Sequence, residues 1–110
     1  MKKLYLGDIR KIPDDSYILV ESYEDAVEYV IQNGIPYFIS FDHDLGVDKY
    51  NNLLPTGYDF AKWIVEMDMD GRYIFPDNFN YIVHSANPVG KENIERYLIN
   101  YFKQKHTFKK

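Results

Sequence analysis

Two histidines stand directly after apolar runs, and each has short polar neighbours. The polar motifs occupy residues 42–44 ("DHD") and 84–87 ("HSAN"). An imidazole can both take and give a proton near neutral pH, and a neighbouring carboxylate can orient it or hold Mg²⁺. The pattern therefore indicates proton-transfer chemistry. The candidate catalytic residues are His43, His84 and Asp44, and the candidate metal ligand is Asp42.

A second group of polar residues could hold an anion. Asp8 and Arg10 follow the apolar run "KLYL", and Asn87 can cap a helix that begins with Pro88. The free N–H groups of such a helix N-terminus attract phosphate. Ser85 lacks the context of a nucleophile elbow, so phosphate chemistry fits better than acyl transfer. The candidate ligand-binding residues are Asp8, Arg10, Ser85 and Asn87.

Each of these residues also has an ordinary structural interpretation. A histidine at a strand end is often structural, and Asp42 or Asp44 could merely cap the following loop. Asp8 with Arg10 could form only a surface ion pair, which contributes little stability. Asn87 is first of all a helix cap.

Composition narrows the class of protein. The 110 residues suit one domain, and the chain has no cysteine, which excludes disulfides, zinc–thiolate sites and cysteine nucleophiles. The net charge of −4 gives no basic footprint for duplex DNA. No window of the length of a membrane span is apolar, and no signal peptide is evident, so we expect a cytoplasmic protein without membrane contact.

The apolar patterns predict an α/β fold. Strands are expected at residues 3–6, 17–20, 37–41 and 80–84, and three helices follow start signals at Ser22, Thr56 and Asn87. This order favours a mostly parallel α/β sheet with right-handed crossovers, forming one domain over residues 1–103 with a basic tail at 104–110. The link at residues 7–16 is short for a crossover helix, so either it contains only a turn or the second strand is antiparallel.

Topology predicts where the polar residues meet. Ligands of open α/β sheets bind beyond the carboxyl ends of the strands, and strands joined by one helix are usually neighbours. Because neighbouring strands lie about 4.8 Å apart, we expect His43 and His84 to reach one small ligand.

The segments "KLYLGDIRKIP", "FDHDLG", "TGYDFAKWI" and "HSANPVGKENI" resemble the cyclic-phosphate processing receiver domains, in that order and over nearly the whole chain. The resemblance implies a small three-layer open sheet of the flavodoxin-like, receiver type, truncated to about four strands and three helices. It also implies a role with cyclic phosphates of nucleotides or RNA ends. The first motif of the family usually reads Leu-Asp-Asp-x-Arg, whereas this chain has Gly7 before Asp8. Receiver proteins bind Mg²⁺ through that acidic pair, so the resemblance implies a weakened metal site.

Three functions compete at this point. The first is a phosphoesterase-type enzyme that opens a cyclic phosphate with the pair His43 and His84. The second is a module that binds a phosphorylated or cyclic nucleotide, or an RNA terminus, without converting it. The third is a structural interaction domain. The use of Mg²⁺ and the oligomeric state stay open.

Overall fold

A computed structural model describes residues 3–108. The four strands are β1 (Lys3–Leu6), β2 (Tyr17–Val20), β3 (Phe38–Phe41) and β4 (Asn80–Val83). They form one parallel sheet in the order β2-β1-β3-β4. The predicted strands and the predicted adjacency of β3 and β4 are confirmed.

Three α-helices accompany the sheet, and they are α1 (Tyr23–Asn33), α2 (Gly57–Asp70) and α3 (Pro88–Phe108). Ser22 caps α1 by accepting a hydrogen bond from the N–H of Asp25, and Thr56 forms a capping box with Asp59 at α2. Helix α3 includes residues 104–108 of the predicted tail, and residues 109 and 110 lie outside the described part. No helix within residues 3–108 is long and apolar enough to cross a membrane.

The short link between β1 and β2 contains a turn rather than a crossover α-helix. A 3₁₀ helix at Ile9–Lys11 is its only helical element, and β2 runs parallel to β1. Of the two alternatives that the link length left open, the reduced helix is therefore the one the structure adopts.

All three helices pack against one face of the sheet. On β1 this face carries Leu4 and Leu6, and strand register aligns them with Ile39 and Phe41 of β3 and with their partners on β2 and β4. Leu4, Leu6, Ile39 and Phe41 are fully buried, whereas Ile18 on β2 and Tyr81 on β4 are partly buried. Apolar residues of all three helices complete the cluster, namely Ala26, Val30, Phe60, Ala61, Ile64, Val65, Ile94 and Leu98. The hydrophobic core cluster thus lies between this face and the helices.

The opposite face of the sheet has no α-helix among residues 3–108, so the third of the expected layers is thin. Side chains of this helix-free face alternate with those of the core, and none of them belongs to the core cluster. The physical reason is the ten-residue link at 7–16, which holds only the 3₁₀ helix where a full crossover helix would cover the face. The third layer is reduced to that link.

Candidate functional site

A cleft of about 480 Å³ lies at the carboxyl ends of the strands, between the segments that follow β1, β2 and β3. Four carboxylates and two cations contribute to its wall, so the cleft is polar. It is lined by Gly7, Asp8, Arg10, Lys11, Glu21, Asp42, Asp44, Leu45 and Gly46. Four of the predicted site residues, Asp8, Arg10, Asp42 and Asp44, are therefore brought to one cavity.

Asp8 and Arg10 form an exposed ion pair on the cleft wall. The guanidinium donates to both carboxylate oxygens of Asp8, from Nη2 at 2.6 Å and from Nε at 3.0 and 3.2 Å. These hydrogen bonds lower the pKa of Asp8 to about 2, so its carboxylate is ionised throughout the physiological range. The side chain of Arg10 is 84% exposed, which leaves donors free to turn towards a ligand.

His84 lies on the helix-free face, immediately after β4. Its Nδ1 is 2.7 Å from Ser40 Oγ on β3, and its ring stacks on Tyr5 of β1 with centroids 4.5 Å apart. Burial lowers the pKa of His84, Asp42 opposes that shift, and Lys11 adds to it. The imidazole is therefore neutral at pH 7. Its Nε2 is buried and has no hydrogen-bond partner among the described residues.

Gly7 lies directly against Nε2 of His84. A Cβ at position 7 would lie 3.0 Å from that nitrogen, 3.3 Å from a ring carbon of Tyr5 and 3.4 Å from Asp42 Cβ. Gly7 also has a φ of +151°, which a residue with a side chain rarely adopts. Gly7 lines the cleft and thus separates the His84 ring from it. At this position the family motif has an acidic residue.

His43 lies on the other side of the sheet edge, against the helix layer. Position 90 in the first turn of α3 must be glycine because a Cβ there would lie 2.3 Å from Cγ of His43. The N–H of Gly57 donates to the carbonyl oxygen of His43 at 2.8 Å, which ties the segment to the start of α2. His43 Nδ1 is 2.8 Å from Asp44 Oδ1, so Asp44 orients the ring.

Ser85 and Asn87 act locally at the start of α3. The hydroxyl of Ser85 accepts from the N–H of Asn87 at 3.1 Å, and Asn87 Oδ1 accepts from the N–H of Gly90 at 3.0 Å. The cap interpretation of Asn87 is thus confirmed. Neither residue lines the cleft, and the Asn87 side chain already occupies one of the N–H groups that a phosphate would use.

The predicted site residues therefore separate into two groups. Asp8, Arg10, Asp42 and Asp44 surround the cleft, whereas Ser85 and Asn87 belong to the turn before α3. The two imidazoles do not face each other, because one packs on α3 and the other lies on the helix-free face. His43 connects to the cleft through Asp44, and His84 borders it through Gly7.

A receiver-type magnesium site does not fit these residues. Within residues 3–108, no three side chains of histidine, cysteine, aspartate or glutamate are grouped to hold a metal ion. Asp8 is engaged by Arg10, and Gly7 replaces the acidic neighbour of Asp8. Asp42 lines the cleft without the co-ligands that it would need.

Four residues of the site were missed at the sequence level. Lys11 and Glu21 line the cleft, and Ser40 and Tyr5 hold His84. Lys11 could have been found because it follows Arg10, and Glu21 because it follows a strand. Ser40 and Tyr5 lie inside strands, and only the register of β1 with β3 shows that they meet.

A parallel four-stranded sheet, three helices and an acidic cleft at the carboxyl edge define a receiver-like α/β domain. The sequence profile of the cyclic-phosphate processing receiver domain matches residues 2–100, and the chain belongs to this family. Searches of curated proteins and of solved structures gave no match to the chain.

Proposed function

We propose that the cleft binds a cyclic phosphate on a nucleotide or an RNA end and opens it by hydrolysis. The observation that carries the proposal is the composition of the cleft wall, where Arg10 and Lys11 stand among four carboxylates beside the Asp44–His43 pair. The two cations supply phosphate contacts, and the pair supplies a group for proton transfer.

The charge of the cleft favours a cyclic ester over its opened product. A cyclic phosphate is a diester with one negative charge, whereas the opened monoester carries up to two because its second pKa is about 6. Four carboxylates on the wall repel the second charge more than the first. The same cleft that accepts the substrate therefore promotes release of the product.

Proton transfer is assigned to the Asp44–His43 pair. Asp44 lines the cleft and its Oδ1 lies 2.8 Å from His43 Nδ1, so the carboxylate takes a proton from an attacking water molecule and shares it with the ring. The water oxygen forms a new bond to phosphorus, one ring P–O bond breaks, and the same proton passes to the leaving oxygen. Water and the cyclic ester are thus converted into one phosphomonoester with a free hydroxyl.

His84 is a positioning residue in this proposal. Its Nε2 is buried behind Gly7, and its ring is fixed by Ser40 and Tyr5, so the ring forms part of the support beneath Gly7 and Asp42. This differs from a symmetrical two-histidine mechanism, in which both rings would contact the ligand.

One observation favours a second candidate function, binding without conversion. Gly7 removes an acidic residue from the cleft wall, and the described residues do not assemble a metal site. A domain with these losses could still hold a cyclic nucleotide through Arg10 and Lys11. The two functions differ in whether the ligand is recovered intact.

The experiment is incubation with 2′,3′- and 3′,5′-cyclic nucleotides, with and without Mg²⁺, while melting temperature and products are followed together. A ligand that binds only the native state must raise the melting temperature. We expect stabilisation and an opened monoester, with both effects lost in Lys11→Ala and kept in Lys62→Ala, a control on α2 outside the cleft. Stabilisation without product would support the binding module, and neither effect would contradict both functions.

A further inference from the structure

The helix-free face carries a row of two aromatic rings and a lysine. Strand register places Tyr17, Lys3 and Phe38 side by side on β2, β1 and β3. The Nζ of Lys3 lies 4.3 Å from the centroid of Tyr17 and 5.8 Å from that of Phe38, and the two ring centroids are 6.2 Å apart. We refer to these three residues as the aromatic row.

The aromatic row does not serve the core. None of its members belongs to the core cluster, and each side chain is partly exposed on the face that lacks a helix. Ile82 on the same face is 49% exposed, whereas Tyr5 and Ser40, between the row and the cleft, are buried, so a strand bound to both would cross above them. A sheet face with partly exposed rings and a lysine has the composition of a platform on which bases stack.

The distance between the aromatic row and the cleft determines which ligand can contact both. Lys3 begins β1 and Gly7, four residues on, directly follows its last residue, so the strand rise of about 3.3 Å per residue puts the row about 13 Å from the cleft floor. A stacked strand advances about 3.4 Å per nucleotide, and a splayed strand advances more. A mononucleotide in the cleft therefore does not reach the row, whereas the third to fifth nucleotide of a strand does.

We propose that the aromatic row binds the bases of a single-stranded RNA whose cyclic-phosphate end occupies the cleft. This inference rests on the proposed function of the cleft. A cyclic phosphate at the end of a strand needs both the 2′ and the 3′ oxygen of one ribose, which restricts the strand to RNA.

The charges near the row agree with a strand rather than a duplex. Lys3 lies in the row, and Lys11 and Arg10 lie at the cleft, so cations stand at both ends of the path along β1. The whole chain carries a net charge of −4, which disfavours the dense charge of a duplex. Stacking on aromatic rings supplies an attraction that does not depend on that charge.

The test compares the affinity of a 2′,3′-cyclic mononucleotide with that of tetraribonucleotides ending in the same group. The variants Tyr17→Leu and Phe38→Leu remove a ring but keep an apolar side chain, which preserves the fold better than alanine. Tyr58→Leu is the matched control, because Lys62 Nζ lies 4.5 Å above that ring but the pair sits on the helix layer. Melting temperatures confirm that each variant is folded.

We expect the wild-type protein to bind the tetranucleotide at least about tenfold more tightly than the mononucleotide, as one stacked base would provide. Tyr17→Leu and Phe38→Leu should abolish this gain without weakening mononucleotide binding, and Tyr58→Leu should keep it. Equal affinities in the wild type, or a gain that survives in both row variants, would overturn the inference. So would self-association that depends on Tyr17 and replaces RNA binding.

The two proposals fail in different ways. If the mononucleotide does not bind but the tetranucleotide does so through Tyr17 and Phe38, the cleft function fails and the row keeps its role. If both ligands bind equally and are opened, the cleft function holds and the row has no role.

Discussion

Ser40 on β3 and His84, directly after the neighbouring strand β4, are joined by a hydrogen bond of 2.7 Å between Oγ and Nδ1 although they are 44 positions apart. Ser40 is 1% exposed, so water cannot replace His84 as the hydrogen-bond partner of its hydroxyl. The bond fixes the ring over Tyr5 and turns Nε2 towards Gly7. It accounts for a neutral, immobile imidazole beside the cleft, where an exchangeable acid–base group was expected.

The lowered pKa of His84 predicts an acid-side loss of stability. The unfolded chain has the ordinary histidine pKa of about 6.5, so below that value it binds a proton more readily than the folded chain does. The free energy of unfolding should therefore fall as the pH drops below about 6.5. Urea titrations at several pH values measure this slope. His84→Asn should reduce it, and an unchanged slope would show that His84 does not cause it.

Substitution of Gly7 tests the contact with His84. Gly7→Ala forces a side chain into a φ of +151° and places Cβ 3.0 Å from Nε2, so we expect a loss of roughly 2 kcal/mol or more. Gly71→Ala is the control, since its φ of +73° is also strained but nothing lies near its Cβ. Equal losses in the two variants, measured by urea unfolding, would mean that only backbone strain matters at position 7.

A double-mutant cycle tests the packing of His43 on α3. Gly90→Ala alone should destabilise the protein, because the clash with the His43 ring outweighs the gain in helix propensity of about 1 kcal/mol. In the background His43→Ala the ring is gone, and the same substitution should become neutral or stabilising. Thermal unfolding of the four proteins measures the coupling. Additive effects would contradict the placement of His43.

Asp68 should stabilise the protein only above acidic pH. Burial raises its pKa, but hydrogen bonds from Tyr101, Lys105 and the N–H of Phe75 outweigh burial, so the net pKa is lowered. Its contribution is therefore complete above the unfolded pKa of about 3.9 and is lost as the pH falls through the folded value.

At pH 7, Asp68→Asn should cost roughly 1–3 kcal/mol, because the ammonium and the phenol lose a charged acceptor. The difference from wild type should shrink below about pH 4. Asp70→Asn, at the exposed end of the same helix, should change stability by less than about 0.5 kcal/mol. A difference for Asp68→Asn that persists unchanged into acid would contradict the charge-based explanation.

Much of the fold could be predicted from the sequence because its signals are local. The strand at 38–41 is apolar except for Ser40, and the starts of α1 and α2 are marked by Ser22 and Thr56, which cap the helices as their spacing predicts. The reduced third layer was less evident. Its prediction depends on the conformation of the ten-residue link at 7–16. The sequence allowed either a link with only a turn or an antiparallel second strand.

The candidate site could be predicted only in part, because the direction of a side chain after a strand is set by distant contacts. His43 turns to the helix layer because Gly57 and Gly90 let its backbone and ring approach α2 and α3. His84 keeps the alternation of β4 and lies with Ser40 on the other face. The motifs placed both histidines at the carboxyl edge of the sheet. The spacing of residues along the chain does not show that His43 packs on α2 and α3 or that His84 bonds to Ser40.

The most direct test of the account follows the phosphorus NMR signal of a 2′,3′-cyclic nucleotide with the wild-type protein and with His43→Ala. We predict conversion to an opened monoester by the wild type and a rate reduced by about 10²–10⁴-fold in the variant, the range for loss of a general acid–base group. Lys62→Ala should convert the nucleotide at the wild-type rate. An unchanged cyclic signal with the wild-type protein, or equal rates with and without the His43 ring, would contradict the account.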